Sequence, residues 1–322
     1  MTAKTIAITG ASGFVGQAAL AALIPLGHRL RLLVRDAGAR KYPPEIELVE
    51  GTLADRDGLL RLCEGADTVI HIAGAIAALS RPGFMAVNAD GTARLVEVAR
   101  QKSVRRFVHV SSLAAREPSL SPYAESKRAG EMAVQKLAGT MEHVILRPPA
   151  VYGAPDKATL PLFRQLTARS AYLPGRPGQR VSLLHVRDLA AALAFAATAA
   201  DAPTGATFEI DDGKPNGYSW AEICAIASAH EGHAVVPHLL PRGLLAPVAW
   251  LAGLLARLTG RPSILTPAKL NELYHADWVV RGPRFLPWRA ELSFAAGFAD
   301  TVSAYRRAGS LRASRAAIRK HA

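Results

Sequence analysis

The sequence predicts an α/β fold, a doubly wound parallel sheet of the Rossmann type with a smaller C-terminal lid that binds substrate. Three observations carry this. A β-branched run, Lys4-Thr5-Ile6-Ala7-Ile8, leads into Thr9-Gly10-Ala11-Ser12-Gly13-Phe14-Val15-Gly16 and then into the helix formers of residues 17–23. Apolar runs then alternate with helical patterns through the first 150 residues. Those runs are apolar almost throughout, as strands are when helices cover both faces of a sheet.

The strand–glycine–helix order turns the first motif into a phosphate-site prediction. Gly10 allows the tight turn, Gly13 lets backbone approach a pyrophosphate, and Gly16 lets helix and strand pack closely. The helix N-terminus adds unpaired N–H groups and the positive end of its dipole. The second strand, 29–34, ends at Arg35-Asp36, and the third spans 46–50. Asp55 is placed to cap a helix running to Leu62. A fourth strand, 68–73, is stopped by Gly74, and a helix over 83–100 leads to a fifth, 106–111. Residues 121–138 are helical, and the sixth strand, 143–146, is broken by Pro148-Pro149. Ligands should gather at the carboxyl ends of these strands.

From Val151 prolines and glycines multiply and the rhythm changes. Strands are expected at 181–184 and 207–210, and helices at 188–200, 219–231, 243–258, 267–275 and 290–307. The predicted organisation is a dinucleotide-binding region over 1–150 to which 181–212 returns. Residues 151–180 and 213–310 form the lid, and 311–322 a basic tail.

Half of the 322 residues are apolar and a fifth are charged, which excludes a disordered chain. Cys63 and Cys224 match no metal or redox spacing and read as buried thiols of a reducing, cytoplasmic compartment. A first strand that starts by Lys4 leaves no room for a signal peptide. The net charge of +13 is scattered and accompanies no zinc-finger, helix-turn-helix or RNA-binding signature, so nucleic acid is not an expected partner. Its densest part, Arg306, Arg307, Arg312, Arg315, Arg319 and Lys320, reads as a solvated C-terminus. The apolar stretch 244–255 is shorter than the ~20 residues that span a bilayer and contains Pro247, so it is not transmembrane. Leu244, Val248, Leu251, Leu255 and Leu258 share one helical face opposite small residues, which predicts a lid helix packed on the core. The alternative is an exposed helix, flanked by Arg242, Arg257 and Arg261, that touches a membrane or a lipid substrate.

Tyr123-Ala124-Glu125-Ser126-Lys127 is the central chemical signal. Four residues apart on a helix, Tyr123 and Lys127 share a face. A phenol with a pKa near 10 is a poor base at neutral pH, and a neighbouring ammonium would favour its phenolate. Ser112, at the end of the fifth strand, is placed to hold a substrate oxygen beside that phenol. His71, His109 and His185 sit inside apolar strands and read as core or hydrogen-bonded histidines.

With these motifs the chain resembles the extended short-chain dehydrogenase/reductase family, the epimerase, dehydratase and ketone-reductase group. The motifs that carry the resemblance are Gly10–Gly16, His71-Ile72-Ala73-Gly74, Asn88-Ala89-Asp90-Gly91-Thr92, Val110-Ser111-Ser112, Tyr123-x-x-x-Lys127, Leu146–Gly153 and His185–Ala190. The resemblance implies Tyr123 as acid/base, Lys127 as its electrostatic partner and ribose ligand, and Ser112 as substrate-oxygen donor. Cofactor-binding positions would be Gly10, Ser12, Gly13, Phe14, Val15 and Gly16, Thr52 and Leu53, Ala73, Gly74 and Asn88. Lys127, Pro148 and Val151 would flank the nicotinamide end. Asp188 is read as a helix cap holding the lid.

Two departures from the family pattern matter. Gly51-Thr52-Leu53 lacks the carboxylate that the family usually places there for the adenine amine. Only ten residues separate Ser112 from Tyr123, which trims the loop that often grips a nucleotide-sugar and argues for a smaller or more apolar substrate. The second strand runs directly into Arg35, placed to pair with a 2′-phosphate, so NADP is expected, with NAD through Asp36 as the alternative. The expected activity is hydride transfer between nicotinamide and a hydroxyl or ketone carbon. The other readings are a sugar-nucleotide epimerase or dehydratase and a catalytically idle dinucleotide-binding protein. A small-molecule substrate and a second copy of the chain are the expected partners.

Overall fold

The computed structural model describes residues 3–312. Arg315, Arg319 and Lys320 of the basic tail lie outside them. Seven strands form the main sheet: β1 (Thr5–Thr9), β2 (Arg29–Val34), β3 (Glu47–Glu50), β4 (Thr68–His71), β5 (Arg106–Val110), β6 (Glu142–Arg147) and β7 (Ala206–Glu209). Their order is β7-β6-β5-β4-β1-β2-β3 and every pairing is parallel. The chain leaves β1 toward β2 and β3, then crosses back to β4, so the order reverses beside the carboxyl end of β1. That reversal opens the crevice in which doubly wound sheets bind ligands.

Period-two alternation sorts the strand residues onto two faces. Ile6, Ile8, Leu32, Ile70, Val108 and Leu146 pack toward α1 (Phe14–Leu23) and α5 (Val186–Thr198), against Leu20, Leu23, Leu189 and Leu193. Ala7, Leu33, Val69, Phe107 and Ile145 face the opposite way. There they meet Leu59 and Leu62 of α2 (Arg56–Cys63), Leu95 and Val98 of α3 (Gly91–Gln101) and Val134 of α4 (Pro122–Leu137). Asp55 caps α2 as expected, its Oδ1 accepting from Gly58 N at 3.1 Å. A third core, built on Tyr152, Phe163, Phe294 and Phe298, belongs to the C-terminal half. Its helices are α6 (Trp220–Glu231), α7 (Arg242–Thr259), α8 (Pro267–Leu273) and α9 (Phe294–Arg307).

Four local expectations change. The helix expected over 83–100 is a short helix, Arg81–Met85, then a π-helical turn, Ala86–Asp90, and then α3. The wider turn presents Asn88 to the backbone of the β4 loop, as π-turns often do at functional sites. The strand expected at 181–184 is two strands in different sheets, Arg180–Val181 and Leu183–His185. Ser182, between them, is fully buried and donates to Asp211. Asp188 does hold the lid, accepting from the N–H groups of Glu291 and Leu292 at 3.0 and 3.1 Å, but the cap of α5 is His185. In α7 the apolar face is not packed on the core. Ala249 and Ala256 are its buried side chains, while Leu244, Val248, Leu251, Leu255 and Leu258 are exposed. The small side chains permit close approach to the lid, and that leaves the large ones facing outward.

One buried ion pair ties α4 to the sheet. Glu131 of α4 has no solvent exposure, and Arg147 at the end of β6 grips it through two bonds of 2.7 and 2.6 Å. Ser111 donates to the same carboxylate at 2.6 Å. Replacing Glu131 with Leu leaves the guanidinium buried beside an apolar group, with only Glu209, 3.6 Å away, in partial compensation. Glu131→Leu is expected to lower stability by about 3 kcal/mol, read from urea denaturation.

Candidate functional site

The three glycines of the loop meet different surroundings. Gly10 adopts φ +78°, and a Cβ there would lie 2.5 Å from Ala73 N, so the loop packs tightly on the end of β4. A Cβ on Gly16 would lie 2.1 Å from Gly10 O, which makes glycine obligatory for the entry of α1. At Gly13 the nearest atom to a Cβ would be Gly10 O at 3.4 Å, so the space beyond it is open. Gly13 is the N-cap and makes no side-chain cap, so the first N–H groups of α1 face that space. Ser12 and Gly13 are exposed, and Phe14 and Val15 half-buried. An uncapped helix end behind a Cβ-free backbone fits a pyrophosphate.

At the end of β4 a polar layer replaces the apolar core. His71 bridges Thr9 at 2.7 Å and Thr92 at 2.9 Å, and burial, with Lys127 adding to it, pushes its pKa down to about 3. His109 stacks on it, buried and held neutral for the same reason, so both histidines are structural. Thr9 also accepts from Ala73 N. Beyond Gly74, Asn88 accepts from Ala75 N at 2.7 Å and donates to Ala75 O at 3.0 Å and to Ser126 at 2.9 Å. A Cβ on Gly74 would come within 3.1 Å of Asn88 and 3.7 Å of Lys127 Nζ. Ala73, Gly74, Asn88 and Lys127 therefore meet in one place.

Ser121 caps α4 and starts the helix that carries Tyr123 and Lys127. Lys127 is buried, and its Nζ donates to Val110 O at 2.7 Å. Burial pushes its ammonium down to about 8, against the pull of Glu131. Half-buried Tyr123 neighbours Ser112, the residue that caps the turn Leu113–Arg116. That turn is pinned to the end of β6 by Leu113 N donating to Pro148 O at 2.8 Å. Pro148 and half-buried Val151 thus sit beside the Ser112 turn and β6.

Without a nicotinamide ring beside it, the Tyr123 phenol is shifted upward. Burial pushes the phenol up to about 12, the Ser112 hydroxyl opposes this, and the Glu272 carboxylate adds to it. Spacing alone favours a phenolate, but burial is the largest influence on the phenol and acts the other way.

Glu272 is one of the residues that the sequence reading missed, because it arrives from α8, some 150 positions downstream. It accepts from Ser121, the cap of α4, and Lys269 donates to it. Lys269 Nζ also lies 5.5 Å from the centre of the Tyr123 ring. Ser126 was hidden inside the Tyr-x-x-x-Lys motif; its only signal is the polar residue before Lys127. On the far side, exposed Arg35 makes no hydrogen bond or ion pair among the described residues. Asp36 is occupied, its Oδ1 accepting from Gly38 N at 2.8 Å. Arg40, also unread in the sequence, donates to Gln17 of α1 at 2.8 Å. Thr52 is exposed and accepts from Ala54 N at 3.2 Å, while Leu53 packs near Gly91.

This site has close relatives. Residues 6–211 match the family model described as the NAD dependent epimerase/dehydratase family. The chain is 41% identical over 312 residues to a ceramide reductase of Caulobacter vibrioides, covering 94% of this chain and 95% of that protein. It is 29% identical over 231 residues to a Stigmatella aurantiaca 4-hydroxy-2-methyl-3-oxo-4-farnesyl-3,4-dihydroquinoline-1-oxide ketoreductase, covering 65% of this chain and 68% of the other. Among solved structures, the Bordetella bronchiseptica enzyme WbmG in complex with NAD superposes with a TM-score of 0.69 at 20% identity, over 97% of this chain and 98% of that one. MoeE5 in complex with UDP-glucose and NAD gives 0.68 at 21% identity, over 95% and 99%. The family and its reductase relatives give the chain a nicotinamide dinucleotide cofactor and an oxidoreductase activity. The chain belongs to the NAD dependent epimerase/dehydratase family, within the extended short-chain dehydrogenases/reductases.

Proposed function

We propose that the protein is an NADPH-dependent reductase of a ketone carried on a long-chain amide lipid of the ceramide type. The observation that carries the reductase reading is the placement of the Tyr123 phenol beside the Ser112 hydroxyl, two groups that can meet one carbonyl oxygen. The lipid class rests on the ceramide reductase relative and on the apolar rim of the site. Ile76 and Leu79 are exposed in the loop after β4, and Phe84 packs edge-on to Tyr123 at 6.2 Å. The short Ser112–Tyr123 connection favours this over a sugar nucleotide.

In this reading residues 3–150, with 181–212, hold the dinucleotide, and 151–180 with 213–310 form the lid. The α1 N-terminus and Gly13 face its pyrophosphate, Lys127 and Asn88 hold the ribose side, and Pro148 and Val151 border the ring. When bound, the reduced dinucleotide supplies a hydride to the carbonyl carbon. Ser112 orients the carbonyl oxygen by donating a hydrogen bond. Tyr123 Oη gives that oxygen its proton, the C=O bond becomes C–OH, and the Lys127 ammonium stabilises the phenolate left behind. The buried, free thiols of Cys63 and Cys224 support a reducing, cytoplasmic setting.

NADPH oxidation with a ketone-bearing ceramide tests the whole reading. One equivalent oxidised per ketone reduced is expected; tightly retained NAD with no net oxidation would favour an epimerase. Tyr123→Phe should lower turnover by ~10² or more with dinucleotide affinity nearly intact. The pH profile follows from Lys127. Above about 8 its ammonium loses the proton, so reduction is expected to slow as pH rises from 7 to 9, and Lys127→Arg should remove that limb. Arg35→Ala should weaken NADPH by about 1.5–3 kcal/mol in calorimetric titration and leave NADH nearly unchanged. Damage from Asp36→Ala instead would assign NAD.

A further inference from the structure

We infer that α7 is a docking helix that seats the lid on an anionic lipid bilayer. The first observation is its inverted packing. Its inward side is Ala249, Ala252, Gly253 and Ala256, whereas Leu244, Val248, Trp250, Leu251, Leu254, Leu255 and Leu258 are 37–74% exposed. Exposed apolar residues are ordinary when scattered; a contiguous stripe along an 18-residue helix is not. Among the described residues nothing covers it. No helix among them is long and apolar enough to cross a membrane. A helix with one apolar side and small residues behind lies flat in the interface, with the apolar side chains in the acyl boundary.

The second observation is charge, which decides between occupants. No Asp or Glu occurs from Gly232 to Asn271, a stretch that contains Arg242, Arg257, Arg261 and Lys269. Lys269 is neutralised by Glu272. The three arginines form no ion pair among the described residues, and the one side-chain bond of Arg242 goes to neutral Asn271. Arg257 lies two turns beyond Trp250, on the border of the stripe. A symmetric contact with a second copy would set these arginines against one another with no local acid to pair them. Anionic headgroups offer the counter-charge. A zwitterionic surface offers only the apolar term.

The docking would act at the site's border. α7 packs on α8, the helix that sets Lys269 over Tyr123 and Glu272 against Ser121. The inference stands on the helix and its charges and does not require the substrate proposed above, so the two fail separately.

The test is co-sedimentation of the full chain with phosphatidylcholine vesicles, with and without about 30% phosphatidylglycerol. At low salt the wild type should partition at least tenfold more strongly onto the anionic vesicles, and salt should weaken this. The double variants Leu251→Ser/Leu255→Ser and Arg257→Gln/Arg261→Gln should each lose most of the binding. Both should melt like the wild type and retain dinucleotide affinity. Three results would overturn the proposal: no binding to anionic vesicles, undiminished binding by the serine variant, or a wild-type dimer in ultracentrifugation that the serine variant converts to monomer.

Discussion

The site depends on one buried carboxylate. Glu131 lies two turns and one residue beyond Tyr123 on α4, and its two oxygens receive Arg147 from the end of β6 and Ser111 from the end of β5. An unpaired carboxylate there would be costly to bury, so the helix is held in the register that satisfies it. That register puts Lys127 under Val110 O and Tyr123 beside Ser112. The same charge keeps the Lys127 pKa from falling further under desolvation. An ion pair thus joins the sheet to the helix that carries Tyr123 and Lys127.

From that fixed helix the polar layer at the carboxyl ends follows. His71, Thr9 and Thr92 satisfy one another, and Thr92 returns a bond to Asn88 O at 2.8 Å. Asn88 then fastens the β4 loop to Ser126. A ring of satisfied groups lets polar side chains lie beneath an otherwise apolar sheet, and it brings Asn88 and Lys127 close to Gly74. The lid enters on the other side, where Glu272 reaches the cap of α4 and Lys269 the Tyr123 ring. Burial and the Glu272 charge both favour the neutral phenol, and the Ser112 hydroxyl opposes them.

The strands and glycine loop were legible because their signals are local. β2 runs from Arg29 to Val34 as read, and the three glycines have the environments that their spacing implies. The π-turn at Asn88 was not legible, since its cause is a side chain bonding across to Ala75 and Ser126. The break at Ser182 and the strand Val236–Leu240, paired with Ser170–Pro174, depend on partners far along the chain. Tyr123 shows the same limit in the chemistry. Its spacing from Lys127 was visible, but its proton affinity is set first by burial, then by the opposing Ser112 hydroxyl, and after these by a carboxylate from α8.

The lid helix states the limit most sharply. Periodicity found the apolar stripe of α7 and its small-residue side, yet periodicity is silent on which side faces the protein. The usual assignment sends the larger apolar surface inward, because that removes more area from water. Here Ala249 and Ala256 go inward instead. α7 meets α8 through its small side chains, with Gly253 beside Pro267, and α8 is itself fixed by Glu272 on the cap of α4. The seven large apolar side chains are left on the outward side.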